Sequence, residues 1–290
     1  MKALFFALRP KQWAKNLFVF LPLVFGKKLF SWPENFQVVE GFVLFSMMAS
    51  AVYLMNDLVD FEQDKIHRMK RLRPLASGKL SKELALLMSG CLCVVSTTLS
   101  FLLNPLFGWV VLSYFLFNFI YSKIIKNIVI LDVFSLAIFF VLRVVGGTVI
   151  AHVRFSHWMI FMIVLLAMFL GFVKRRQECQ LLGDKAAGHR FVLSKYSLYF
   201  IDQIMAVLTS TMIVVYMLYT VDSGTIAEFG TAHLVYTIPF VYYGIFRYLY
   251  LVHKRRLGDD PTYVLFFDKM TQINLIAWFC VCVLVIYFKI

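Results

Sequence analysis

Asp57, Asp60 and Asp64 follow one another at spacings of three and four, and Asn56 stands four before Asp60. On a helix those offsets set the side chains along one stripe. Like charges on one stripe repel, and more strongly beside lipid than in water, so a compensating cation is required. Oxygen-only donors suit Mg²⁺, which keeps several waters and is held through one or two carboxylates plus substrate phosphates. The competing reading is a solvated helix end with acids paired to Lys65, Arg68 or Lys70. It leaves Asn56 and Asp57, at the boundary of a long apolar run, with no reason to be polar. Asn56, Asp57, Asp60 and Asp64 are therefore the expected metal ligands, and the three aspartates the expected catalytic groups.

Bases follow the acids. Lys70, Arg71 and Arg73 precede Pro74 and Gly78, which break the helix and shape a turn. Ser81 is placed to cap the next helix, with Glu83 in its first turn. Cations across a turn from metal-binding carboxylates make a diphosphate cradle, with the metal on one side and guanidinium forks on the other. His67 lies beside the acids with no second histidine near it, which favours a solvated or phosphate-contacting role over metal ligation.

The elements that must position these groups are membrane helices. The chain has 290 residues, 61% hydrophobic and 16% charged, with a mean hydropathy of +0.79; that is too apolar for a soluble domain of this size. Runs near 15–32, 36–57, 81–103, 106–122, 128–150, 157–174, 199–220, 233–252 and 272–288 each approach the roughly 20 residues that a spanning helix needs. They are continuous, without the alternation of a β-barrel strand. The expectation is an all-α integral membrane protein with nine spans, forming a single transmembrane domain over 1–290.

Nearly all Lys and Arg outside the spans fall on the side of the N-terminus and of loops 61–82, 123–126, 174–195 and 253–271; only Lys27, Lys28, Arg154 and Lys289 fall opposite. By the positive-inside rule the N-terminus and the long loops face the cytoplasm, in the cell membrane. The net charge of +13 thus gathers on one face, where it suits anionic headgroups; no soluble module exists to carry nucleic acid. Cys91, Cys93, Cys280 and Cys282 sit as i, i+2 pairs inside apolar runs, the wrong spacing for a helix-borne metal site, and Cys179 lies in a reducing loop. The first residues lack the apolar core and cleavage site of a signal peptide.

Two charges fall inside the fifth span. Asp132 and Arg143 are eleven residues apart, about three helical turns, so they share a face without touching. Such groups usually meet a cavity or a partner. Arg143 suits either a lipid phosphate or a carboxylate on another helix, and Arg247 in the eighth span is equally open.

The pattern Asn56-Asp57-x-x-Asp60-x-x-x-Asp64, followed by Arg73-Pro74 and Gly78, resembles the first aspartate motif of the UbiA superfamily of intramembrane prenyltransferases. That resemblance implies nine helices around a central cavity open to lipid. It also implies a second acidic motif after the sixth helix, and here the chain departs: "FVKRRQECQLLGDK" places Lys174, Arg175 and Arg176 there, with Glu178 as the nearest acid. Cations suit a donor bearing an additional phosphate, whereas a second metal would need carboxylates; the alternative is that they anchor a helix end at the headgroups.

Leu8 to Phe25, Tyr121 to Asp132, Lys174-Arg175-x-x-Glu178, and Phe246 to Pro261 with Asp268 resemble one branch, the decaprenyl-phosphate phosphoribosyltransferases. The branch implies transfer of a 5-phosphoribosyl group from phosphoribosyl pyrophosphate to a polyprenyl phosphate, with Mg²⁺ and release of diphosphate. On this reading Lys15, Asn16, Arg71, Arg73, Tyr121, Lys126, Arg143, Lys174, Arg175 and Glu178 contact substrate, Lys126 serving equally well as a topology residue. Trp13 fits an interface anchor better than a ligand. The rivals are prenyl transfer from a prenyl diphosphate to an aromatic or other acceptor, which predicts the missing second motif, and a transporter lined by Asp132, Arg143 and Arg247. Homo-oligomerisation is left open by the sequence.

Overall fold

The computed structural model describes residues 2–66, 70–182, 191–254 and 268–289. Their regular structure is helical throughout: α1 (Lys2–Ala7), α2 (Leu21–Phe25), α3 (Trp32–Val59), α4 (Phe61–Ile66), α5 (Lys82–Leu103), α6 (Pro105–Lys123), α7 (Leu131–Ile150), α8 (His157–Leu182), α9 (Leu198–Val221), α10 (Ser223–Phe229), α11 (Ile238–Lys254) and α12 (Lys269–Val283). Seven helical stretches among the described residues are long and apolar enough to cross a membrane: Trp32–Val59, Lys82–Leu103, Pro105–Lys123, Leu131–Ile150, His157–Gln180, Leu198–Val221 and Lys269–Phe288.

The other two expected spans are built differently. Over 15–32 the chain forms a 3₁₀ helix, Pro10–Phe20, then the short α2, and turns at Gly26 and Lys27. With three residues per 3₁₀ turn, Trp13, Asn16 and Val19 fall in one row. Trp13 donates to Ser50 Oγ at 3.0 Å, Asn16 donates to Ser46 Oγ at 3.0 Å, and Val19 is buried. Those side-chain bonds to α3 explain why an α-helical register is not kept. Over 233–252 a 3₁₀ turn, His233–Thr237, precedes α11, which is 17 residues long.

Contacts group the chain into two compact units, Met1–Lys123 with Leu142–Phe155, and Ile124–Val141 with Ser156–Ile290. In the first unit α5 approaches α3 through small residues: Ser89 Oγ donates to Ala51 O at 2.9 Å and Ser96 Oγ to Leu44 O at 2.8 Å. Hydroxyls between helices let backbones approach, and these two satisfy their own donors across the interface. Phe45 stands edge-on to Phe107 and Tyr114 at centroid distances of 5.6 and 5.7 Å. A Cβ on Gly147 would lie 2.1 Å from Val19 O, so only glycine lets the end of α7 reach the 3₁₀ segment.

The second unit is centred on α8 and α9, with Phe169, Phe172, Val173, Ile201, Met205 and Met212 buried in one cluster that Leu251 joins from α11. Ser197 and Asp268 cap α9 and α12 by accepting from Phe200 N and Thr271 N, as Ser81 caps α5 by accepting from Leu84 N. The cap expected at Ser81 is thus present, satisfying a backbone donor that the helix leaves open.

Candidate active site

The acidic motif does not run along one helix. Helix α3 ends at Val59, Asp60 is its C-cap, and α4 starts afresh at Phe61. The break sorts the four residues into two pairs. Asp57, 3% exposed, accepts from Arg9 and, at 3.0 Å, from Arg73 Nη1; the same nitrogen donates to Asp64 Oδ2 at 2.5 Å. Lys70 Nζ stands 3.7 Å from Asp64 Oδ1, and the Arg9 guanidinium lies over the Tyr53 ring, 4.8 Å from its centroid. The expected repulsion is therefore met by arginines: Asp57 and Asp64 tie the N-terminal segment and the basic turn to the end of α3.

Asn56 points elsewhere. Its amide oxygen accepts from Ser122 Oγ on α6 at 2.8 Å. With Asn118, Ser122 and Lys123 it forms the polar part of a small cleft, lined otherwise by Val52, Met55, Val59, Phe115 and Phe119. Asp60, half-buried, donates its N–H to Asn56 O at 2.9 Å and follows Asn56 by one turn. The single stripe of three aspartates gives way to a pair bridged by Arg73, Asp57 and Asp64, and a second pair, Asn56 and Asp60.

The donor set still fits a hard divalent cation. Among the described residues no three His, Cys, Asp or Glu side chains are grouped to hold a metal unaided. A partial oxygen shell completed by phosphates and water is the usual Mg²⁺ arrangement. Asp64 Oδ1 is buried without a hydrogen bond, with Lys70 Nζ standing off at 3.7 Å, so that oxygen is open to a closer cation.

Of the other expected substrate residues in this unit, Arg71 is exposed on the 3₁₀ turn Lys70–Leu72, Lys15 is half-buried on the long 3₁₀ helix, and Tyr121 is half-buried near the end of α6. Asn16 and Arg143 are brought together. Arg143 Nε donates to Asn16 Oδ1 at 2.6 Å and Nη2 to Tyr114 Oη at 2.9 Å, with both residues buried. Neither end of the choice left at Arg143 is what these bonds describe; an amide and a phenol hold the guanidinium.

In the second unit the three consecutive cations take three directions. Lys174 is exposed. Arg175, 1% exposed, donates from Nε to Asp132 Oδ2 at 2.6 Å and pairs with Glu178. Arg176 Nε donates to Asp202 Oδ1 at 2.6 Å. Arg175 and Glu178, expected on substrate, thus engage each other, because an acid as deep as Asp132, fully buried, needs a matched cation. Lys126 lies half-buried on the short turn Ile125–Asn127. Arg247 pairs with Asp268 at 2.7 Å. His67 lies outside the described residues.

Sequence reasoning missed Arg9 and Tyr196. Arg9 carries a guanidinium just ahead of a buried segment, and its acid is Asp57. Tyr196 Oη donates to Asp132 Oδ1 at 2.8 Å and accepts from Ile130 N at 2.6 Å. Burial, helped by the Asp132 carboxylate and opposed by the Ile130 N–H, pushes its phenol above the ordinary range, so it remains a donor.

Among the described residues the regular structure is helical, with seven stretches long and apolar enough to cross a membrane, an acidic helix end, a basic turn, and a largely apolar cleft beside Asn56, an arrangement that fits an integral membrane transferase. Residues 18–270 match the UbiA prenyltransferase family, and the chain belongs to that family. It is similar to a decaprenyl-phosphate phosphoribosyltransferase of Corynebacterium glutamicum, 30% identical over 97% of this chain and 86% of the relative. One of the same name from Mycolicibacterium smegmatis is 29% identical over 98% and 92%. A solved UbiA homolog from Archaeoglobus fulgidus, bound to GPP and Mg²⁺, shares the fold with a TM-score of 0.73 at 18% identity, covering 97% of this chain and 99% of that one.

Proposed function

We propose that the protein transfers the 5-phosphoribosyl group of phosphoribosyl pyrophosphate to a polyprenyl phosphate, releasing diphosphate. The observation that carries this reading is end-to-end similarity to relatives named for that activity. Lys174 supports it, exposed where the sequence resemblance leads one to expect an acid.

Asp60 and Asp64, with the Asn56 amide oxygen, are the residues that would hold Mg²⁺, and the ion would supply charge neutralisation at the leaving diphosphate. The rest falls to the chain. Arg73 and Arg71, on the turn after the acids, and Lys15 provide cations for the diphosphate oxygens as the bond from C1 to the leaving oxygen lengthens. Lys174 and Lys126 take the 5-phosphate. The acceptor oxygen is already anionic, so it bonds to C1 without losing a proton and needs no general base. The apolar wall of the cleft, Val52, Met55, Val59, Phe115 and Phe119, suits an isoprenoid tail arriving from the bilayer. Asp57, held by two arginines, serves as an anchor for the basic turn, and Arg143 and Arg175 as framework cations. The cation distribution supports a cytoplasmic position for this chemistry.

The test is direct. Membranes carrying the protein are incubated with Mg²⁺, labelled phosphoribosyl pyrophosphate and polyprenyl phosphate, and labelled lipid should form. Label entering lipid acceptors only from a prenyl diphosphate would establish prenyl transfer instead.

A further inference from the structure

Ile130 has φ of +70°, a left-handed conformation that costs a β-branched residue steric strain and that such residues almost never adopt. Its side chain is 38% exposed, so packing does not account for the conformation. Strain of this kind persists where the surroundings over-determine it. The backbone closes a tight turn across Ile130, the Leu131 N–H donating to Val129 O at 2.8 Å, and one side chain reaches into that turn. The Ile130 N–H donates to Tyr196 Oη at 2.6 Å, and that hydroxyl donates onward to Asp132 Oδ1 at 2.8 Å.

The Tyr196 ring is itself fixed. It is 7% exposed, edge-on to Phe172 with centroids 6.3 Å apart, and stacked on Phe200 at 6.2 Å with 25° between planes. Asp132 is fixed by Arg175. A rigid hydroxyl therefore holds one backbone amide in a strained turn. That turn is the last residue of the 124–130 connection, whose 3₁₀ portion Ile125–Asn127 carries Lys126. The Ile130 carbonyl starts α7 by accepting from Phe134 N at 3.0 Å.

We infer that Tyr196 is a positioning residue: through its hydroxyl it clamps the strained Ile130 amide and so fixes the loop that presents Lys126 to the phosphorylated donor. The functional half of this inference rests on the reaction proposed above; the clamp itself does not. Nothing in the clamp touches substrate, so its loss should be felt in donor binding rather than in bond cleavage.

A glycine at position 130 adopts a positive φ without strain, which makes the inference separable from a general structural role. Purified full-length protein is compared as wild type, Tyr196→Phe, Ile130→Gly and the double variant. Amide hydrogen exchange of the peptide spanning 124–132 is read first, then steady-state kinetics with Mg²⁺ and phosphoribosyl pyrophosphate as the varied donor. Tyr196→Phe should speed exchange and raise donor KM by about tenfold, with kcat within about twofold. Adding Ile130→Gly should return KM to within about threefold of wild type, since the strain the hydroxyl had to hold is gone. Unchanged exchange in Tyr196→Phe overturns the clamp. So does a KM defect that Ile130→Gly fails to relieve, because the hydroxyl would then be serving only Asp132 and Arg175. Failure of the wild type to use the donor at all would strike the proposed reaction, whereas the exchange comparison, which needs no substrate, still decides the clamp.

Discussion

Asp57 and Asp64 converge on a single nitrogen, Arg73 Nη1, which lies 3.0 Å from Asp57 Oδ1 and 2.5 Å from Asp64 Oδ2. The two acids belong to different helices, α3 and α4, with Asp60 at the break between them. One guanidinium thus fixes the angle at which the chain leaves the membrane helix, and Asn56 and Asp60 sit at that bend.

Arg73→Met should destabilise the protein by about 3 kcal/mol, the penalty of leaving buried carboxylates short of a cation. Asp64→Asn in the same chain should recover part of the loss, because the orphaned charge is then absent. Thermal unfolding of the four members of this cycle measures the coupling, which should be at least about 0.5 kcal/mol. Strict additivity would mean that the shared guanidinium holds nothing.

Asp60→Asn and Asp57→Asn should fail in different ways. Asp60 is half-buried at a helix end, so its amide variant should keep its melting temperature and lose turnover by about a hundredfold or more. Asp57 is buried beneath Arg9 and Arg73, so its amide variant should melt earlier and regain activity in proportion to the folded fraction. Reversed outcomes would move the metal-holding role to Asp57.

Much of this was legible in the chain, and the failures have physical causes. Long apolar runs located the seven spanning helices, because a bilayer makes hydropathy nearly sufficient. The first run failed as an α-helix because Trp13 and Asn16 bond to serines of α3, a tertiary effect that no local pattern carries. The acids were found and their division was not: i, i+3 and i, i+4 spacing holds only while the helix continues, and this one stops at Val59. The substrate role of Arg175 comes from the family resemblance, and the partner it has in the fold, Asp132, lies 43 positions away. Ion pairs at that separation are invisible to spacing arguments.

Lys174 and Arg175, adjacent in sequence, should separate cleanly in kinetics. Lys174→Ala removes an exposed cation and should raise the donor KM while leaving the melting temperature within about a degree, a surface substitution being within about 0.5 kcal/mol. Arg175→Met leaves Asp132 buried with an unmatched charge and should cost about 3–5 kcal/mol. An Arg175→Met protein with wild-type stability and a raised donor KM would restore the direct phosphate contact expected from the sequence.

Asp268 supplies a pH test away from the metal-fitting residues. The Arg247 guanidinium above all, with the Thr271 hydroxyl and N–H, holds its carboxyl well below the usual carboxylate range. A folded-state value below the unfolded one, about 3.9, means that the group's stabilisation is fully present above that pH and fades as pH falls through the depressed value. Asp268→Asn keeps a side chain able to cap α12, so the variant isolates the charge. Its deficit in melting temperature against wild type should be constant from pH 8 to about 5 and begin to shrink only below about pH 4. A deficit that changes between pH 8 and 5 would point to a group titrating in that range, and the Arg247 pairing would no longer account for what Asp268 contributes.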